Sequence, residues 1–134
     1  MAGDKAAVRD QVEKYREMSP NQVALAMASL SRALQALQDE QKPLEEAAVE
    51  AREAYTKVYA RTFLGEEGNN EERKQATLLR TSEERLAAEL AETRVKMHIA
   101  DINTLRKRID IARSAAALVR AEWEITNVNQ GHRR

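Results

Sequence analysis

EERKQATLLRTSEERLAAELAETRVKMHIADINTLRKRIDIARSAAALVRAEWEITN, residues 71–127, holds no proline and no glycine. Apolar residues recur through it at helical spacing: Leu79, Leu86, Leu90 and Met97 in the first part, then Ile102, Leu105, Ile109, Ala112, Ala116, Val119 and Trp123. That pattern marks one face of an α-helix. At about 1.5 Å per residue a helix of this length reaches on the order of 80 Å. It is too long for a compact globule and has to bury its apolar face against another long helix. Thr81-Ser82-Glu83-Glu84 has the form of an internal capping box, so a break there is the competing reading. Between Leu90 and Ile102 the apolar phase slips, the mark of a stutter.

The partner is legible upstream. Val23, Met27, Leu30, Leu34, Leu37, Gln41, Leu44, Ala48, Ala51, Tyr55 and Val58 alternate four- and three-residue steps without a gap, an a/d seam. The spacing predicts a helix over 20–63. Its start is marked by Ser19 as N-cap, Pro20 at the first helical position and Gln22 as reciprocal partner, with Met18 and Val23 placed as a hydrophobic staple. Pro43 lies inside it and removes a backbone donor, a defect of about 3 kcal/mol in a straight helix, so a kink is expected near that residue. A shorter amphipathic helix is expected over 4–17, with Val8, Val12 and Tyr15 on one side.

Residues 64–70 (LGEEGNN) supply two glycines for a reversal and Asn69 or Asn70 to cap the next helix. Seven residues suffice to join antiparallel helices. Folded back there, the chain opposes Tyr55 to Leu79, Ala48 to Leu86, Leu44 to Leu90 and Leu37 to Met97, and it carries Val8, Val12 and Tyr15 toward Val119, Trp123 and Val128. The expected fold is therefore all-α: a single domain over 1–134, a long antiparallel helical hairpin of coiled-coil type with a short N-terminal helix and a tail over 128–134, dimerising into a helical bundle. On its solvated faces Glu53 with Lys57 and Glu92 with Lys96 are expected as i,i+4 ion pairs.

Composition agrees with a thin seam. Aromatic residues make up 4% and charged residues 33% of the chain, the profile of long helices and not of a globule with a thick core. There is no cysteine, which excludes disulfides and thiolate chemistry. The start, Met1-Ala2-Gly3-Asp4-Lys5, lacks the apolar run of a secretory signal, and a cytoplasmic location is the expectation. Basic and acidic residues balance at 22 each, but unevenly: the net charge is +1 over 1–38, −6 over 39–92 and +5 over 93–134.

Nothing in the pattern points to catalysis. His98 and Asp101 stand one turn apart without a third ligand, and no phosphate loop, GxSxG or HExxH is present. A rod of two strands offers the many carboxylates no desolvated cleft, so no enzyme, no cofactor, no metal and no small-molecule substrate are expected. Segment 18–38 carries one charge, Arg32, yet its serines and glutamines argue against a membrane span. With Val23, Met27, Leu30, Ala33, Leu34 and Leu37 on this segment and Ala112, Ala116, Val119 and Trp123 opposite, this end is the expected homodimer surface; the competing reading is that the first helix covers it within one chain. Arg106, Arg113 and Arg120 recur every seven residues and, with Lys107, Arg133 and Arg134, form a basic stripe; one reading is a contact for nucleic acid or an acidic partner, and the favoured one is a solvated face interacting with acidic neighbours. No aromatic side chains interleave with it to stack bases.

From Tyr59 onward the chain resembles small coiled-coil proteins of actinobacterial phages and prophages. The resemblance is carried by Tyr59-Ala60-Arg61-Thr62-Phe63-Leu64, Glu71-Glu72-Arg73-Lys74, Arg85-Leu86-Ala87-Ala88-Glu89-Leu90-Ala91-Glu92, Arg108-Ile109-Asp110, Arg113-Ser114 and Arg120-Ala121-Glu122. It implies no catalytic residues. It implies instead an accessory of recombination or replication, or a protein directed at a host partner. Taken together, the expected function is a non-enzymatic module that binds a host or phage protein; the alternatives are nucleic-acid binding through the basic stripe, and a scaffold of particle assembly with segment 18–38 as its polymerising surface.

Overall fold

The computed structural model describes residues 2–131. Four helices come in order, α1 (Ala2–Arg16), α2 (Pro20–Gly65), α3 (Asn70–Arg80) and α4 (Ser82–Gly131), and no strand is present among the described residues. The fold is all-α. Two compact units divide it: Leu37–Asp101, and Met1–Ala36 with Ile102–Arg134.

In the unit Leu37–Asp101 the reversal occupies residues 66–69. Gly68 is the one described residue with a positive φ, 110°, a conformation that side chains disfavour, and a Cβ there would meet the Glu72 carboxylate. Asn69 caps α3, its Oδ1 accepting from the Glu72 N–H at 2.9 Å. Arg73 reaches back across the turn: its guanidinium donates to the Phe63 carbonyl at 2.9 Å and lies 4.3 Å from the Phe63 ring centroid, so a cation meets the negative end of α2. Arg80 pairs with Glu66 at 2.9 Å. Pro43 does not break α2, which runs as one helix of 46 residues.

The helix expected as unbroken over 71–127 is divided at Thr81. The competing reading placed the division correctly and the bonding wrongly. Thr81 does not cap α4 through its hydroxyl; that hydroxyl donates to the Thr77 carbonyl at 2.7 Å, just as Thr77 donates to Arg73. Backbone bonds from Thr81 to Thr77 and from Arg85 to Thr81 carry the helical phase through, so the division is a local distortion at φ −105°, ψ 18°. Helix α4 continues to Gly131, past the expected end at 127, and residues 132–134 lie outside the described residues.

The larger correction concerns the face. The expected seam residues Leu79, Leu86, Leu90 and Met97 are 77, 56, 51 and 63% exposed. Buried in their place are Thr77, Thr81, Ala88 and His98, with Glu84, Ala91 and Val95 half-buried between them. These residues continue, in strict steps of three and four, the phase of Ile102, Leu105, Ile109 and Ala112. No stutter is needed. The expected axial register was nearly right: the His98 ring bonds the Leu37 carbonyl, and Arg73 bonds that of Phe63, one and two residues beyond the expected opposition. On a helix each residue turns the face by about 100°, so an offset this small suffices to send the leucines outward. Because a carbonyl only accepts, Nε2 of His98 carries the proton in this contact. Arg52 donates through Nε and a terminal nitrogen to one Glu92 oxygen at 2.8 and 2.6 Å, so Glu92 pairs across to α2 and not with Lys96 as expected. The expected Glu53–Lys57 pair is likewise absent among the described residues.

In the unit Met1–Ala36 with Ile102–Arg134, three helices meet. Val12 and Tyr15 of α1 are buried with Ala112, Ala115 and Val119 of α4, and Val8, Met18, Val23, Ala26, Met27 and Leu30 pack around them. The alanines let a tyrosine lie close to α4. Helix α1 therefore packs nearer Ala112 than expected, and Trp123 and Val128 remain about half exposed. The capping box forms as read: the Gln22 N–H donates to Ser19 Oγ at 3.2 Å, and the Ser19 N–H to Gln22 Oε1 at 2.9 Å.

Candidate functional site

The short linker between α1 and α2 holds Met18 beside the start of α2, and the first two turns of α2 then run along α4. Between them lies a groove of about 580 Å³. One wall is Met18, Pro20, Val23, Ala24 and Met27; the other is Arg113, Ala116, Ala117, Val119, Arg120 and Trp123. The floor is apolar because segment 18–31 carries no charge, while Arg113 and Arg120, two turns apart, stand at the α4 wall. Their α-carbons are separated by about 10 Å along the helix. Both are exposed, and neither forms an ion pair with any described residue. Two methionines give the wall side chains that adapt to different shapes.

On a neighbouring face of α4, Glu122 is engaged by Arg16 of α1. Arg16 Nε donates to Oε2 at 3.2 Å and a terminal nitrogen to Oε1 at 2.8 Å, a fork on a carboxylate. That hydrogen bond holds the Glu122 carboxyl below its ordinary value; desolvation opposes it, and the Coulomb attraction of Arg16 adds a smaller lowering. Arg16 is correspondingly raised. Glu122 is thus already paired, and Arg113 and Arg120 are the charged residues that line the groove.

The residues expected to self-associate are placed unevenly. Ala112 and Val119 are buried inside the unit; Val23, Met27, Leu30, Leu34, Leu37 and Ala116 are half-buried; Ala33 is exposed and Trp123 49% exposed. Much of that surface is used within the chain, where α1 covers it, as the competing reading had it. Of the basic stripe, Arg106, Lys107, Arg113 and Arg120 are all exposed, whereas Arg133 and Arg134 lie outside the described residues. Only Arg113 and Arg120 border the groove. Met18, Pro20, Ala24 and Ala117 were not read as site residues; the missing charge in 18–38 was the signal that could have found them.

Among the described residues no group of three or more His, Asp or Glu side chains is placed to hold a metal ion. No helix there is long and apolar enough to cross a membrane. No family model matches the chain, and neither a curated protein nor a solved structure matches it.

Proposed function

We propose that the chain is a non-enzymatic protein-binding module whose groove receives an amphipathic helix with acidic residues beside its apolar row. The observation that carries this reading is the pairing of an uncharged floor with two unengaged arginines two turns apart. An apolar helix face fills such a groove, and carboxylates at matching spacing meet the guanidiniums. The resemblance of residues 59–124 to phage and prophage proteins makes a host or phage protein the proposed partner.

Trp123, the one tryptophan, borders the groove and reports on it. Titration with a helical peptide bearing a leucine row flanked by glutamates is expected to shift its fluorescence saturably, whereas the same peptide with lysines is not. The R113E/R120E variant is expected to reverse that preference. An equal response to both peptides, or none, would overturn the reading.

The exposure of Arg106, Lys107, Arg113 and Arg120 on α4 favours a second reading, nucleic-acid binding in recombination or replication. A DNA mobility shift that weakens steeply with salt would support it over the first.

A further inference from the structure

The side chains that the hairpin leaves outside are ordered. Leu79, Leu86, Leu90 and Met97 all lie in the unit Leu37–Asp101 and are each more than half exposed. The helical phase passes through Thr81 intact, so at about 100° per residue the four fall within about 40° of arc, on the side away from the buried row. Their order is also a palindrome. Leu79 and Met97 are equally distant from position 88, and so are Leu86 and Leu90.

We propose that this stripe is a homodimer surface on which two copies lie antiparallel, with the two-fold axis passing at the level of residue 88. Leu86 then meets the partner's Leu90, and Leu79 the partner's Met97, so that a single patch completes itself, as a two-fold interface requires. Charges agree with this order. Glu83 and Arg94 lie on one flank of the stripe, both exposed and neither in an ion pair among the described residues. Reversal about position 88 brings Glu83 within one residue of level with the partner's Arg94, in reach of its long side chain, and the second contact repeats the first. A parallel pairing would break this: it stacks Leu86 on Leu86 and Leu90 on Leu90, but leaves Glu83 and Arg94 more than two turns apart.

The size of the patch sets the strength. A contact about 27 Å long buries on the order of 900 Å² over both copies, below the range of stable interfaces, so the dimer is weak and reversible, with dissociation in the micromolar range. This surface shares no residue with the groove, and it accounts for large leucines in solvent that an isolated hairpin has no use for.

Sedimentation equilibrium of the full chain from low micromolar to millimolar concentration tests it. The expected result is a monomer–dimer equilibrium that stops at two. L86E replaces an exposed side chain, keeps the helical circular dichroism and weakens association at least about tenfold. E83R and R94E each weaken it, the E83R/R94E double variant restores it, and a mixture of the two single variants forms a heterodimer. A chain monomeric throughout the range, or a dimer indifferent to both L86E and the charge reversals, would overturn the proposal. Because Trp123 responds to peptide in the groove, L86E keeps that response, and the two readings fail separately.

Discussion

The two units of this chain solve one packing problem in opposite ways. In Leu37–Asp101 the buried row of α3 and α4 is small or polar, Thr77, Thr81, Ala88 and His98, and the large leucines face outward. In Met1–Ala36 with Ile102–Arg134 the buried row is apolar, and a third helix, α1, brings Val12 and Tyr15 onto it. Two helices alone can cover only one stripe on each other. With small residues in that stripe their backbones approach closely, and the threonine hydroxyls remain satisfied by their own preceding turn. A third helix changes what the alanines of α4 are for: Ala112 and Ala115 make room for an aromatic ring. Similar small residues thus serve helix-to-helix contact in one unit and ring-to-helix contact in the other.

The largest expected effect breaks the three-helix unit. Tyr15→Ala removes a fully buried ring and should cost about 3 kcal/mol, read as a lower denaturation midpoint with early hydrogen exchange in α1. Next, a pair of substitutions two positions apart sharpens the contrast of faces in the other unit. Ala88→Leu overpacks a site with no exposed surface and should cost about 2 kcal/mol, whereas Leu86→Gln, on the outer face, should stay within about 0.5 kcal/mol when measured in dilute monomer. Equal costs would return Leu86 to the seam.

The smallest effect concerns the Arg16–Glu122 clasp, which is exposed and therefore weak. The Glu122 carboxyl is depressed in the folded chain, so the unfolded chain binds the extra proton first. The contribution is then present above the ordinary carboxylate range and is lost as pH falls through the depressed value. The protection of α1 amides, taken relative to the intrinsic exchange rate at each pH, should fall at acid pH, and Glu122→Gln should flatten that part of the dependence.

Helices, reversal and caps were legible because each rests on local chemistry. Ser19 and Gln22 satisfy one another's backbone donors within four residues, and at the turn Gly68 takes the positive φ while Asn69 accepts from the Glu72 N–H. The outward face was not legible from residue size. Choosing Leu79, Leu86, Leu90 and Met97 assumes that the largest apolar groups are buried, and in a two-helix contact close approach outweighs it. The signal was nevertheless present: extending the Ile109, Leu105, Ile102 phase backward lands on His98, Val95, Ala91 and Ala88. For the groove, the spacing of Arg113 and Arg120 was readable, but its walls were not, since they depend on where the linker before α2 holds Met18.

The clasp of Arg73 on Phe63 has a kinetic consequence. Its partners stand ten residues apart, those of Arg52 and Glu92 forty, and those of His98 and Leu37 sixty-one. Each contact brings the next pair closer, so the entropy of closing a long loop is never met in one step. Assembly of Leu37–Asp101 is therefore expected to start at the bend and run toward the open end, which folding and unfolding rates check: replacing Arg73 should slow the forward reaction, and replacing His98 should hasten the reverse one.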